Sequence, residues 1–223
     1  MAQPAWSELR SSVAAASRQL AQAGLLVGTA GNVSARQGGA VALTATGAVL
    51  AGATPDQVTI VDLDGKVLAG DFAPTSETPL HLGVYRSSQA KGVGGIVHTH
   101  SPMATTLSMV VDELPVIHHQ QLSLGGGLRV APFHPFGSVE LALAVGRALD
   151  GRLAALMANH GAVALGEDLA AAVDNALLTE WLCELYWRAK AIGQPRELSL
   201  DQQGEVLELA RRTGYGRVKK TAS

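Results

Sequence analysis

The chain has 223 residues, a hydrophobic content of 47% and a formal net charge of -2. A chain of this length is expected to form one large domain with an ample core, and its charge balance excludes the basic surface that nucleic-acid binding requires. No apolar run approaches the roughly 20 residues of a membrane span, residues 1–5 lack the pattern of a secretory signal, and the lone Cys183 has no disulfide partner. We therefore expect a cytoplasmic protein that binds neither nucleic acid nor membranes.

The first third of the chain predicts an antiparallel sheet covered by one helix. Apolar residues recur at spacings of three and four between Trp6 and Leu20, which predicts an amphipathic helix that ends at Gly24. A loop of small residues, 28–34, leads into a strand, and the turns that follow indicate two hairpins. Polar, glycine-bearing turns flank the first of these hairpins.

The middle of the chain contains a buried strand that ends in two histidines. Hydroxyls and an acid in residues 75–77 first predict the start of a helix through Tyr85. The small and β-branched residues 95–97 then predict a strand, and because side chains alternate along a strand, His98 and His100 project from the same side. This spacing can direct two imidazoles at one metal ion. The alternative is that each histidine is a core residue bonded to a backbone carbonyl.

A second apolar run, residues 153–158, ends in Asn159-His160-Gly161 and predicts another histidine at a strand end. Three histidines that end two buried strands are typical of an open zinc site, with three protein ligands and room for water or substrate. A further strand pair is expected around residues 116–117 and 128–130. Three capped helices complete the chain: Ser138 to Leu149, Asp168 to Ile192, and Ser199 to about Arg212.

Five short motifs occur along the chain in a fixed order: Gly31-Asn32, Thr46-Gly47, Thr75-Ser76-Glu77, His98-Thr99-His100 and Asn159-His160-Gly161. With these motifs the chain resembles the fuculose-phosphate aldolase group of the class II aldolase/adducin family over nearly its whole length. The resemblance implies a single α/β domain over residues 1–223, a three-layer α/β/α arrangement with a mainly antiparallel central sheet flanked by helices. It also implies a homotetramer whose active sites lie between subunits.

The resemblance also assigns roles to residues. It makes His98, His100 and His160 the ligands of zinc or of another divalent transition metal. It makes Glu77 the general acid/base, for which the alternative is a surface partner of the helix dipole, worth under about 1 kcal/mol. It assigns the substrate phosphate to six residues: Gly31, Asn32, Thr46, Gly47, Thr75 and Ser76. Backbone N–H groups, hydroxyls and a helix N-terminus bind anions without Arg or Lys, although each of these residues taken singly is typical of an ordinary turn or cap.

Positions 119 and 215 are two further candidates, of which the first departs from the family and the second resembles it. His119 stands where the family's fuculose-phosphate aldolases carry a tyrosine associated with protonating the aldehyde-side oxygen, and histidine can do acid/base work near neutral pH. Tyr215, between two glycines, resembles the family's C-terminal tyrosine on a mobile tail, residues 213–223; a frayed terminus is the alternative. His118 and His134 rank behind His119 as catalytic candidates. His81 is expected to pack or to support the site.

The function that the resemblance implies is a zinc-dependent lyase that reversibly cleaves a ketose 1-phosphate to dihydroxyacetone phosphate and an aldehyde. A divalent cation bound through two substrate oxygens stabilises the resulting charge. No Schiff-base lysine is expected, because the five lysines fall in turns, helix ends and a tail. The alternatives on the same scaffold are a pentulose-phosphate 4-epimerase and a sugar-acid-phosphate decarboxylase or dehydratase. A non-catalytic adducin-like binding module is the alternative from another class, and the histidines with Glu77 argue against it.

Overall fold

The computed structural model describes residues 6–87 and 92–215. Within these ranges the strands are β1 Asn32–Gln37, β2 Ala40–Thr44, β3 Val58–Asp62, β4 Val67–Ala69, β5 Gly95–Thr99, β6 Glu113–Leu114, β7 Leu128–Ala131, β8 Ala154–Met157 and β9 Gly161–Gly166. The helices are α1 Ser7–Gln22, α2 Thr78–Arg86, α3 Pro102–Ser108, α4 Val139–Ala148, α5 Leu169–Ile192 and α6 Leu200–Thr213. The predicted tail beyond Tyr215, and Lys91, Lys219 and Lys220 among the lysines, lie outside the described residues.

The strands form one mixed sheet in the order β4-β3-β2-β1-β5-β9-β8-β7-β6. Every pairing is antiparallel except that of β7 with β8, which is parallel. The prediction of a mainly antiparallel sheet is therefore confirmed, with one parallel pair. The strand expected around residues 116–117 lies instead at Glu113–Leu114. Pro115 ends this strand because it has no N–H to donate to the ladder.

Two cores, one on each face of the sheet, make the three layers. Alternation along β5 sends Val97 into the core under α1, α3 and α5, and Ile96 into the core under α2 and α4. Close approach of α5 depends on glycine, because a Cβ at Gly95 or Gly166 would lie within 2.6 Å or 2.2 Å of the α5 backbone. The predicted layering of helices on both faces is confirmed.

Local signals placed the later helices correctly. The side chains of Ser138, Asp168 and Ser199 each accept a backbone N–H at the start of α4, α5 and α6, and Gln202 completes a capping box with Ser199. Helix α6 contributes no buried side chain among those described. In residues 6–87 and 92–215, none of the helices has the length and apolar character needed to cross a bilayer.

Candidate metal centre and active site

The structure brings the three predicted ligand histidines together at one end of the central strands. His98 lies in β5, His100 directly follows that strand, and His160 lies in the turn between β8 and β9. Their ring centroids are 4.8–4.9 Å apart. One ligand nitrogen from each ring lies within 4.8 Å of the others, and the Nε2 atoms of His98 and His100 are 3.0 Å apart. The three imidazoles therefore converge on one point.

The Asn-His-Gly motif explains how His160 reaches this point. Asn159 adopts a left-handed conformation with φ of 56°, which asparagine tolerates better than most residues. Gly161 follows, and a Cβ there would lie 2.1 Å from the carbonyl oxygen of Thr99. A side chain at position 161 would therefore push the turn, and His160 with it, away from the end of β5.

The histidines also have the chemistry of metal ligands. Nδ1 of His98 donates to the carbonyl of Ala162 at 2.9 Å, which leaves Nε2 to face the other two rings. Burial opposes the charged form of His98, but Glu77 outweighs this effect and raises the pKa of His98. Burial and the neighbouring histidines lower the pKa of His100 to about 4 and also lower the pKa of His160. A tetrahedral zinc ion with bonds of about 2.1 Å holds its ligands about 3.4 Å apart. This spacing falls between the 3.0 Å of the His98–His100 pair and the 4.8 Å upper limit of the set, and imidazole nitrogens are common ligands of divalent transition metals.

Glu77 lies beside the histidines and is buried. It is the N-cap residue of α2 and is 4% exposed, so it is not a surface partner of the helix dipole. Its Oε2 lies 3.0 Å from Nε2 of His98, and its Oε1 lies 3.6 Å from Nε2 of His160 with no hydrogen-bond partner. Burial acts to raise the pKa of Glu77, but His98, Asn32 and His160 together hold it well below its usual value. Glu77 is therefore a buried carboxylate whose Oε2 is held by His98 and Asn32 and whose Oε1 has no hydrogen-bond partner.

A cavity of about 590 Å³ opens beside this cluster. It is bordered by Glu77, by His100 and His160, and by all six residues that the sequence assigns to the phosphate: Gly31, Asn32, Thr46, Gly47, Thr75 and Ser76. Two of their backbone N–H groups are already engaged, because those of Thr46 and Thr75 donate to the carbonyls of Ala73 and Thr44. Hydroxyls and the remaining backbone groups are therefore the donors that an anion can use.

Sequence reasoning missed three apolar side chains that also border the cavity, Phe133, Pro135 and Phe136 in the loop after β7. His134, which the sequence ranked behind His119 as a catalytic candidate, lies in the same loop and borders the cavity as well. Phe133 and Phe136 are 63% and 70% exposed. The only local signal was the aromatic run directly after β7. Its delivery to this edge of the sheet depends on the parallel pairing of β7 with β8, which the sequence did not show.

His119 and Tyr215 do not border this cavity. His119 opens a short 3₁₀ helix, His119–Leu124, and its ring centroid lies 4.5 Å from that of His118 and 5.9 Å from that of Tyr215. The ring of His118 also meets Trp181 edge-on at 5.0 Å. These predicted residues therefore form a second group, the His119–Tyr215 cluster, apart from the histidine and glutamate cluster of the same chain.

Comparison with known proteins gives the family. The chain matches the Class II Aldolase and Adducin N-terminal domain over residues 11–187. It is 35% identical over 201 residues to a 5-methylthioribulose-1-phosphate/5-deoxyribulose-1-phosphate aldolase of Rhodospirillum rubrum, covering 90% of each chain. It is 35% identical over 210 residues to a 5-deoxy-D-ribulose 1-phosphate aldolase of Bacillus thuringiensis serovar kurstaki, covering 93% of this chain and 96% of that protein.

A solved structure of an L-fuculose 1-phosphate aldolase superposes with a TM-score of 0.85 at 27% identity, covering 95% of this chain and 98% of that one. The agreement thus extends from sequence to fold and over almost the whole length of both proteins. This chain belongs to the class II aldolase and adducin N-terminal domain family.

Proposed function

We propose that this lyase of the class II aldolase family reversibly cleaves a ketose 1-phosphate to dihydroxyacetone phosphate and an aldehyde, with zinc or another divalent transition metal as cofactor. The observation that carries the proposal is the single cavity of about 590 Å³ that Glu77 shares with His100, His160 and the six predicted phosphate residues. An aldolase needs its metal ligands, its general acid/base and its phosphate-binding residues within one substrate length of each other.

The metal would be held by His98, His100 and His160. When bound, it supplies a Lewis acid that stabilises negative charge developing on two adjacent substrate oxygens. The carbonyl of Ala162 keeps the ring of His98 in the required orientation. The chain provides three nitrogen ligands and leaves the remaining positions for substrate, which is the usual arrangement of a catalytic zinc site.

The substrate phosphate would lie at the far end of the cavity, among the two glycine turns and the start of α2. The hydroxyls of Thr46, Thr75 and Ser76 and the N–H groups of Gly31 and Gly47 are the donors that we assign to it. Thr75 is buried while Ser76 is exposed. The hydroxyl of Ser76 would therefore exchange its contact with solvent for a contact with the phosphate when substrate binds.

Glu77 would move the proton. In cleavage, the bond between the third and fourth substrate carbons breaks and its electron pair stays on the third carbon. The hydroxyl of the fourth carbon becomes the aldehyde as it loses its proton to solvent. Glu77 takes up a proton from solvent and passes it to the third carbon, so no proton is gained or lost overall. In synthesis the carboxylate of Glu77 removes the proton from the third carbon, and its lowered pKa keeps it in the required ionised form. General acid/base catalysis of this kind contributes about 10²–10⁴-fold.

The aldehyde would lie against Phe133, Pro135 and Phe136. An apolar wall favours an aldehyde whose far end carries no hydroxyl, because a hydroxyl buried there would lose its hydrogen bonds to water. The relatives from Rhodospirillum rubrum and Bacillus thuringiensis are named for 5-deoxy pentulose phosphates, whose cleavage releases such an aldehyde. We therefore place 5-deoxyribulose 1-phosphate and its 5-methylthio analogue first among the substrates.

The His119–Tyr215 cluster would act in a neighbouring subunit. It lies apart from the cavity of its own chain, and Tyr215 is 63% exposed while Trp181 is 39% exposed. A homotetramer with active sites between subunits would bring His119 and Tyr215 to the aldehyde side of the next chain's cavity. There His119 would protonate the aldehyde oxygen in the direction of synthesis.

The test is a panel of ketose 1-phosphates and pentulose 5-phosphates given to metal-loaded protein, with triose phosphate, carbon dioxide and epimer measured in the same samples. We expect triose phosphate from the 1-phosphates, with the 5-deoxy compounds cleaved fastest. Glu77→Gln is the matched control for background cleavage. Formation of an epimer or of carbon dioxide without triose phosphate would refute the proposal and identify a 4-epimerase or a decarboxylase. A dehydrated product would identify a dehydratase, and binding without turnover would identify an adducin-like module.

A further inference from the structure

A line of buried polar side chains runs from the core to Glu77. The hydroxyl of Tyr85 lies 3.0 Å from Oγ of Ser34, which lies 2.7 Å from Nδ1 of His81. Nε2 of His81 lies 2.5 Å from Oδ1 of Asn32, and Nδ2 of Asn32 donates to Oε2 of Glu77 at 2.9 Å. All five side chains are at most 5% exposed.

Two regular elements hold this line. Asn32 and Ser34 are two residues apart on β1, so they project from the same face of the sheet. Glu77, His81 and Tyr85 follow each other at intervals of four, so they form one stripe along α2. The stripe faces Asn32 and Ser34 of β1, in the layer that also contains the apolar core under α2 and α4. Burying these groups would be costly without hydrogen bonds, and each of the five side chains has at least one partner, although Oε1 of Glu77 has none.

The hydrogen bonds have only one consistent direction. The carboxylate of Glu77 can only accept, so the amide nitrogen of Asn32 faces it and the amide oxygen faces His81. That oxygen accepts from Nε2–H of His81, which leaves Nδ1 to accept from the hydroxyl of Ser34. Ser34 in turn accepts from Tyr85. Burial also lowers the pKa of His81 to about 3, which agrees with a neutral ring.

We propose that His81 is a positioning residue for Glu77. It fixes the amide of Asn32, and that amide holds Oε2 of the carboxylate so that the free Oε1 faces the substrate. The side chain of Asn32 therefore serves Glu77 and not the substrate phosphate, to which the family resemblance assigns it. This inference rests on the proposed function, in which Glu77 moves the proton.

The separation of proton transfer from phosphate binding makes the proposal testable by kinetics. In metal-loaded protein we expect Asn32→Ala and His81→Leu to lower kcat at least about 10-fold, because the base loses its alignment. Affinity for inorganic phosphate should stay within about 3-fold, and one metal should remain bound per chain. His81→Gln should restore most of kcat, since its amide N–H replaces Nε2–H. Ser76→Ala is the contrasting variant, in which the affinity for inorganic phosphate should fall.

A double-mutant cycle tests whether His81 acts through Glu77. His81→Leu added to Glu77→Gln should cost no further activity, because the base is already absent. Equal losses from His81→Leu in both backgrounds would overturn the proposal. So would a loss of phosphate affinity of about 10-fold or more in Asn32→Ala with kcat retained.

A measurement on the wild type covers the case in which His81→Leu does not fold. Nitrogen NMR of the His81 ring at neutral pH should show a protonated Nε2 and a bare Nδ1. The opposite tautomer or a charged ring would overturn the proposal. Failure of the proposed function has a different signature: the wild type would cleave no ketose 1-phosphate at all, while the His81 tautomer and the phosphate affinity of Asn32→Ala would still be as expected here.

Discussion

The buried imidazole of His81 should make the stability of the protein depend on pH. Burial, partly offset by Glu77 and reinforced by His98, lowers the pKa of His81 from its ordinary value of 6.5 to about 3 in the folded chain. Between these two values the unfolded chain binds a proton that the folded chain does not. Stability therefore rises with pH across this window, and it is lost progressively as the pH falls below 6.5.

The size of the effect follows from the width of the window. Each pH unit below the ordinary pKa costs about 1.4 kcal/mol, so His81 alone should remove about 2 kcal/mol from the free energy of unfolding at about pH 5. Because His81 is fully buried, solvent does not screen this cost.

The assay is urea unfolding followed by circular dichroism at about pH 7.5 and about pH 5, for wild type and His81→Gln in the same metal-free state. The glutamine cannot titrate, and the other histidines are common to both proteins, so the difference isolates His81. We expect the wild type to lose about 2 kcal/mol more than the variant between the two pH values. An equal loss in both proteins would refute the reasoning, because it would mean that the folded chain protonates His81 as easily as the unfolded chain.

Three other predictions concern the candidate site. Replacing His98, His100 or His160 by alanine should remove the metal and the activity while most of the secondary structure remains, since the two cores are built from other side chains. Metal analysis and circular dichroism check this prediction, and a variant that keeps a full metal equivalent would contradict it. Glu77→Gln should keep the metal and bind substrate but lose about 10²–10⁴-fold in kcat, and it should fail to exchange the proton of dihydroxyacetone phosphate with deuterated water. An active wild type that shows no such exchange would argue for an epimerase. Gly31→Ala should lower the free energy of unfolding by about 1–3 kcal/mol, because Gly31 has a φ of 94° and a Cβ would lie 2.5 Å from Leu26 and 2.9 Å from the carbonyl oxygen of His98. An unchanged thermal unfolding temperature would contradict this prediction and show that the turn relaxes freely.

Local patterns in the sequence were enough to predict much of this structure. The spacing of two between His98 and His100 put both on one face of a strand, and capping residues such as Ser138 and Asp168 located the helices because they act within one turn. The family motifs then named residues that prove to share one cavity.

Such local patterns could not predict which distant segments of the chain pack together. The parallel pairing of β7 with β8, which brings Phe133 and Phe136 to the cavity, joins segments separated by a whole helix. The spacing of four between Glu77 and His81 was visible, but the strand that His81 faces was not, because β1 lies far away in sequence. His119 was named from its counterpart in an assembled enzyme, and a resemblance of that kind does not say where a residue lies within one chain.

The position of β5 at the centre of the nine-stranded sheet has a consequence for metal exchange. Four strands lie on either side of it, so the amide protons of Val97 and His98 should exchange with solvent only when the whole domain unfolds. Chelated protein should therefore protect these amides about as well as loaded protein. Metal release would then be a local event, and a depleted enzyme should regain metal without refolding.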